Sequence, residues 1–259
     1  MTDVPDDVVL VERRGQVGIM TLNRPRVHNA VSREVTEKMA VAIETFEADD
    51  DIRVLVVTGA GERTFCAGAD LKALMTLRPS VRELGGFAGI TARAFRKPII
   101  AAVNGTAVGG GMEICLACDL VVAEEHASFG LPEVRRGIIA AAGGVERLTR
   151  RLPPAVAMEI ILTAERVGAR RALELGLVNR VVPRGTAVEA ALELAALIAL
   201  GAPMAIEYSK AVARTVMAQG EAEALAEWAV LRQAVMDSDD ADEGVQAFAE
   251  KRAPRWTGK

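Results

Sequence analysis

Two nearly unbroken apolar runs, Val54–Thr58 and Ile99–Val103, each close on a glycine-bearing turn, and nothing else in the chain restricts its fold as much. A run without polar alternation has both faces covered, the pattern of a strand buried inside a parallel sheet. The turns are Gly59-Ala60-Gly61 and Asn104-Gly105, and the second leads through Gly109-Gly110-Gly111 into a helical stretch ending at Cys118. Strand, loop and helix therefore alternate, which argues for an α/β fold with parallel pairing. Short strands are predicted at Asp119–Ala123 and Val178–Val182, and Val8–Val11 with Val17–Leu22 read as a hairpin about Arg14-Gly15.

Ser32 is placed to cap a helix whose Val35, Met39, Ile43 and Phe46 share one face. Residues 80–96, with Val81, Leu84, Phe87 and Phe95 broadly in phase, read as a helix ending before Pro98. From about Thr186 the pattern is helical: Pro203 opens one helix, and Leu225, Trp228, Leu231 and Val235 stripe another. The acidic run Asp237–Glu243 reads as an exposed turn before the last helix. The expected organisation is an α/β core over residues 1–195 and a helical region over 196–259, with no sequence repeat clear enough to count.

Composition excludes several functions. With 51% apolar residues in 259, a substantial core is possible, and a net charge of −4 gives no general attraction to nucleic acid or an anionic membrane. No basic run stands out, and the acidic start from Met1 to Asp7 lacks a signal-peptide pattern. The greasiest stretch, Ala187–Ala202, carries Glu189 and Glu193 and is too short to span a bilayer. Cys66, Cys115 and Cys118 do not form a secreted disulfide framework. A soluble, cytoplasmic protein is expected. No P-loop, dinucleotide fingerprint or Gly-x-Ser-x-Gly elbow is present. His28 and His126 are the two histidines, so a nucleophilic triad has almost no base to draw on. Cys115-x-x-Cys118 lacks a second ligand pair and lies on an apolar helix, so buried small residues are the better reading and no metal is expected.

The chemistry concentrates in three glycine- or proline-marked turns: Thr64 to Lys72 with Gly68 at its centre, Asn104 to Glu113, and Phe129-Gly130-Leu131-Pro132-Glu133. Glycines let backbone approach a ligand and expose N–H groups at a helix start. Two such turns can aim one donor each at a single carbonyl oxygen, each worth roughly 3–4 kcal/mol in a transition state. The plainer alternative is two packing turns with no shared ligand. Glu113 in a first helical turn could serve only the helix macrodipole. Glu133 could equally be a loop acid paired with Arg135 or Arg136. His28, beside Asn29 in a polar turn, reads as a surface or ligand-rim residue.

Taken together, these segments resemble the enoyl-CoA hydratase (crotonase) superfamily from Leu10 to Trp256. The matching pieces are Thr21-Leu22-Asn23-Arg24-Pro25 with Asn29-Ala30, Phe65-Cys66-Ala67-Gly68-Ala69-Asp70-Leu71, and Lys97-Pro98 through Asn104-Gly105. Gly109–Glu113, Phe129–Glu133, Ala142-Gly143-Gly144 with Arg147-Leu148, and Phe248-Ala249-Glu250-Lys251-Arg252 complete the set in order. The resemblance implies a spiral of ββα units, C-terminal helices that mediate a homotrimer or dimer of trimers, and an acyl-CoA thioester as substrate, with no further cofactor.

By position, the resemblance assigns the thioester oxygen to the N–H groups of Ala69 and Gly110, and the catalytic acids to Glu113 and Glu133. Family members that hydrate double bonds keep both acids, one orienting and deprotonating water and the other protonating the α-carbon of the thioester enolate. Glu113 is assigned to the water and Glu133 to the α-carbon. Coenzyme A is expected across the turn after Pro25 and the Ala67–Leu71 turn, against Arg26, His28, Ala67, Asp70, Leu71, Lys72, Gly109 and Pro132, with Lys251 reaching in from a neighbouring subunit. One departure concerns Ile139-Ala140-Ala141-Ala142, where many hydratases carry a proline and glycine, and it leaves substrate choice open. Isomerisation, carnitinyl-type dehydration and non-catalytic acyl-CoA binding stand as alternatives to hydration.

Overall fold

The computed structural model describes residues 7–70 and 83–259. Val9–Arg14 (β1) and Val17–Leu22 (β2) form the expected antiparallel hairpin, turning at Gly15. Val54–Gly59 (β3), Ile99–Val103 (β5), Leu120–Glu124 (β7) and Arg180–Val182 (β10) then pair in parallel to complete a six-stranded sheet in the order β1-β2-β3-β5-β7-β10. A second sheet holds Thr64–Cys66 (β4), Thr106–Val108 (β6), Ser128–Gly130 (β8) and Val167–Gly168 (β9), parallel except for the β8–β9 pair.

Alternate residues of the central strands feed two separate cores, which explains their unbroken apolar sequence. Leu55, Val57, Ile99, Ala101 and Val103 join the larger core, together with Val35, Met39, Ile43 and Phe46 of helix α1 (Arg33–Ala48). Val54, Val56, Ile100 and Ala102 point the other way, against Ala187, Ala191 and Ala195 of helix α6 (Ala187–Ile198). Each fully buried aliphatic side chain contributes about 1.5–3 kcal/mol. Ser32 caps α1 as expected, accepting from the Val35 amide at 3.3 Å. The far end of α1 receives a buried cation: Lys97 Nζ donates to the carbonyls of Phe46 (2.7 Å) and Asp49 (2.6 Å), using the negative end of the helix dipole.

The chain visits the two sheets in alternation. β3 passes to β4, β5 to β6 and β7 to β8 through links of a few residues, and each short strand delivers the chain to a glycine or proline turn. After β6 comes helix α2 (Gly110–Ala117); after β8 come a 3-10 turn (Pro132–Arg136), α3 (Gly144–Arg151), α4 (Pro154–Thr163) and α5 (Ala169–Glu174). The repeat not countable in sequence is thus present as topology, a spiral of ββα turns.

Three helices follow α6: α7 (Pro203–Gln219), α8 (Glu221–Met236) and α9 (Asp239–Glu250). Lys210 of α7 donates to the Lys97 carbonyl at 2.6 Å and pairs with Asp119 at 2.8 Å, where Arg214 also binds at 2.8 Å. Among the described residues no single helix is long and apolar enough to cross a membrane, and α6 with α7 passes only as a pair bent by 105°.

Two expectations are corrected. Of residues 80–96, Val81 lies outside the described residues, and 83–96 forms turns around a short 3-10 segment, Phe87–Gly89. Gly85, Gly86 and Gly89 all take positive φ there, which an α-helix does not allow. The acidic run at 237–243 is the start of α9, not an exposed turn. Ser238 caps that helix, and Asp240 is buried, accepting from the amides of Thr257 (2.6 Å) and Gly258 (2.9 Å).

Candidate active site

The site is assembled where the three short parallel strands end. Ala69 follows β4, Gly109 and Gly110 follow β6, and Glu133 follows β8, so successive turns of the spiral bring their contributions to one edge. Ligands in parallel sheets gather outside the carboxyl ends of strands for the same topological reason. The Gly68 turn is held by a two-residue bridge to Val31: the Val31 amide donates to the Gly68 carbonyl and the Asp70 amide to the Val31 carbonyl, both at 2.9 Å. That register leaves the Ala69 N–H without a partner among the described residues. The Gly110 N–H, at the first position of α2, is likewise unused by the helix.

Each glycine of the Gly109–Gly111 run answers to a neighbour. Gly109 takes φ +56, and a Cβ there would stand 3.0 Å from Glu133 Oε1. A Cβ on Gly110 would strike the Phe87 ring, and one on Gly111 would strike the Cys66 carbonyl. The run lets α2 start hard against β4, with its first N–H groups at the end of the sheet.

Glu113 sits in the first turn of α2 and is 4% exposed. Its Oε1 accepts from the Ala142 amide (2.7 Å) and the Gly144 amide (2.9 Å). Burial pushes its pKa above the ordinary carboxyl value; the two amides and the Arg147 charge oppose this, and the nearby Glu133 charge adds to it. Glu133 lies half-buried at the start of the 3-10 turn, and its Oε2 is buried without a hydrogen-bond partner among the described residues. Burial also raises its pKa, against smaller opposing effects of its own backbone and of Arg136. The ion-pair alternative fails for Arg135, which turns to Glu165 and the Thr163 carbonyl.

The remaining expected residues distribute around this centre. Ala67 donates its amide to the His28 carbonyl at 3.0 Å, while the exposed His28 ring meets Thr64 Oγ1 at 3.2 Å. Arg26 is exposed in the 3-10 turn Pro25–Val27, and Pro132 begins the turn that carries Glu133. Asp70 is engaged by Arg24 at 3.0 Å, an ion pair the sequence did not announce. Leu71 and Lys72 lie outside the described residues. Lys251 stands exposed at the left-handed C-cap of α9, a helix packed on α8. The thiols are buried as expected, with Cys66 and Cys118 pushed up to about 12 and Cys115 also raised. Sequence reasoning missed the amide cradle of Glu113, the Phe87 ring over Gly110, and Asn29, whose side chain donates to the Ala60 and Thr64 carbonyls.

Spiral topology, paired glycine turns and two neighbouring carboxyls, one buried and one half-buried, define an enzyme of the crotonase class. The profile described as enoyl-CoA hydratase/isomerase matches residues 12–259, and the chain belongs to that family. It is 42% identical over 253 residues to a carnitinyl-CoA dehydratase of Proteus mirabilis, covering 95% of this chain and 97% of the relative. Among solved structures, an enoyl-CoA hydratase from Mycobacterium tuberculosis H37Rv superposes with a TM-score of 0.92 at 43% identity, covering 97% of this chain and 99% of that one. A carnitinyl-CoA dehydratase from Mycobacterium avium 104 has 47% identity and a TM-score of 0.77 over 97% of this chain and 99% of its own.

Proposed function

We propose that this chain is a hydro-lyase that adds water to the double bond of a 2-enoyl-CoA, and in reverse dehydrates a 3-hydroxyacyl-CoA. One observation carries the reading: two carboxyls, both held above the ordinary range by burial and with the Glu133 charge acting on Glu113, share a strand-end edge with two unengaged amide donors. The Ala69 and Gly110 N–H groups take the thioester oxygen and stabilise the enolate that forms when water adds. Glu113, fixed through Oε1, orients the water and accepts its proton. Glu133 supplies the α-carbon proton, for which a carboxyl with a raised pKa is suited. The cycle needs no metal or redox cofactor, coenzyme A arriving as part of the substrate. Arg26, Lys72 and a neighbouring subunit's Lys251 are proposed phosphate partners. Residues 1–195 carry the site, and 196–259 serve assembly into a trimer or dimer of trimers in the cytoplasm.

A second reading, dehydration of carnitinyl-CoA, is favoured by the names of relatives at 42–47% identity. Steady-state rates with crotonyl-CoA and with carnitinyl-CoA separate the two by their kcat/KM ratio. Glu113→Gln and Glu133→Gln should each lower turnover roughly 10²–10⁴-fold on the true substrate. Acyl-CoA binding without turnover of any enoyl or hydroxyacyl thioester would overturn both in favour of a binding protein.

A further inference from the structure

Arg147 is a half-buried cation of α3 whose side chain makes no ion pair with either catalytic carboxylate. It spends its donors on two backbone carbonyls instead. Nη1 donates to Ala142 at 3.0 Å and Nη2 to Thr91 at 2.5 Å. The first carbonyl belongs to the loop whose Ala142 and Gly144 amides hold Glu113 Oε1. The second belongs to the segment that carries Phe87, whose own amide donates to Thr91 Oγ1 at 2.9 Å and whose ring lies against Gly110. Gly143, at φ +93, brings the loop so close that a Cβ there would collide with Arg147 Nη1. One planar guanidinium thus braces the cradle of Glu113 against the wall over the Gly110 amide, with a two-directional donor geometry that lysine lacks.

We propose that Arg147 is a positioning residue for Glu113, fixing the amide cradle that orients this carboxylate and setting a positive charge behind that cradle. The inference deepens the hydro-lyase reading and rests on it for the word catalysis. The charged groups that face Glu113 are few. Glu133 approaches from the 3-10 turn and Arg147 from α3. Arg151, a turn later on α3, is spent on the Cys118 carbonyl, and β4 offers the Cys66 thiol, neutral with its pKa near 12. Strand β6 bears no titratable side chain, and Arg93 of the Phe87 segment turns to Glu44. Arg147 thus opposes, by its charge, the effects of burial and of Glu133 on Glu113.

The test compares Arg147→Met and Arg147→Lys with the full-length enzyme. With the methionine variant, kcat should fall roughly 10- to 100-fold, as misplaced catalytic groups do, with KM little changed and the acid limb of kcat/KM moved to higher pH. The lysine variant keeps the charge but not the fork, so its limb should stay near the wild-type position while kcat remains low. An activity-independent readout is the infrared pH-difference spectrum of glutamate-labelled protein, with Glu113→Gln identifying the band. That band should titrate at higher pH in Arg147→Met than in wild type. An unmoved band and limb in a folded methionine variant would overturn the proposal, as would a lysine variant with wild-type kcat. If the methionine variant does not fold, the lysine variant's kcat decides alone. Should the wild type hydrate no thioester, the hydro-lyase reading fails, and the infrared titration still decides whether Arg147 controls Glu113.

Discussion

A methyl group on Gly68 would stand 3.2 Å from the amide nitrogen of Gly110. Two turns from different passes of the spiral are therefore closely packed, an approach that the proposed pairing of the Ala69 and Gly110 N–H groups on one oxygen requires. Gly68 also holds φ +94, a region in which any other residue is strained. Gly68→Ala should lose about 1–3 kcal/mol of stability from that strain. Its hydration rate should drop on the order of 10²-fold as the donor pair is prised apart. Denaturant unfolding and kcat on the preferred enoyl-CoA measure the two effects, and wild-type turnover in the variant would refute convergence.

The two site carboxyls give stability a definite pH dependence. Glu113 and Glu133 both have folded-state pKa values above the ordinary carboxyl value, with burial as the main cause. Between the unfolded and folded values the native state binds more protons than the unfolded state. Stability is thus full below the unfolded pKa and declines as pH rises through the raised one. Above that window each ionised carboxylate weighs against the fold. Glu113→Gln and Glu133→Gln should then melt higher than wild type at mildly alkaline pH, by about 2–4 °C for each kcal/mol relieved, while losing activity. The gain should vanish in acid. Thermal melts across pH that show no such crossover would remove the charge penalty from the account.

What the sequence revealed, and what it hid, divides along a physical line. β3 and β5 were legible because both faces are covered, and the start of α2 at Gly110, with Glu113 in its first turn, because a triple glycine precedes an apolar helical stretch. The strands β4, β6 and β8 span three residues each, too short for any periodicity to register. The segment 83–96 misled through its spacing of Leu84, Phe87 and Phe95, while the glycines at 85, 86 and 89 dictated the backbone. Asp240 looked solvated since its partners, the amides of Thr257 and Gly258, lie well along the chain and carry no side-chain signature. The same blindness hid the work of Arg147 and the cradle of Glu113, which both bind main-chain groups.

Phe87 offers a handle on substrate choice. Its ring packs on Gly110, and its amide is tied to Thr91 Oγ1, so the ring is held at the amide proposed to bind the thioester oxygen. Phe87→Ala removes that wall. The ratio of kcat/KM for branched or long enoyl-CoA over crotonyl-CoA should rise roughly 10- to 100-fold, the range a hydrophobic pocket gives for such changes in fit. Competition between the two thioesters measures the ratio directly, and an unchanged ratio would place the acyl group elsewhere.

The helical region is anchored to the core by charge as well as packing. Lys210 of α7, with a side chain 10% exposed, binds Asp119 at 2.8 Å and the Lys97 carbonyl at 2.6 Å. Asp119 in turn accepts from the Ile99 amide at 2.8 Å and from Arg214, at the edge where β5 and β7 begin. Breaking one partner from such a pair leaves a poorly solvated charge behind, which typically costs about 3–5 kcal/mol. Arg214 remains to neutralise Asp119, so Lys210→Met should fall toward the low end, about 3 kcal/mol. Asp119→Asn should cost more, since it strands both Lys210 and Arg214 and weakens the bond to Ile99. The double variant should then lose less than the sum of the two, because the second change removes a charge that the first had left unpaired. Chemical denaturation of the three variants tests this; strictly additive losses would mean that Lys210 and Asp119 contribute independently and that their pairing adds nothing.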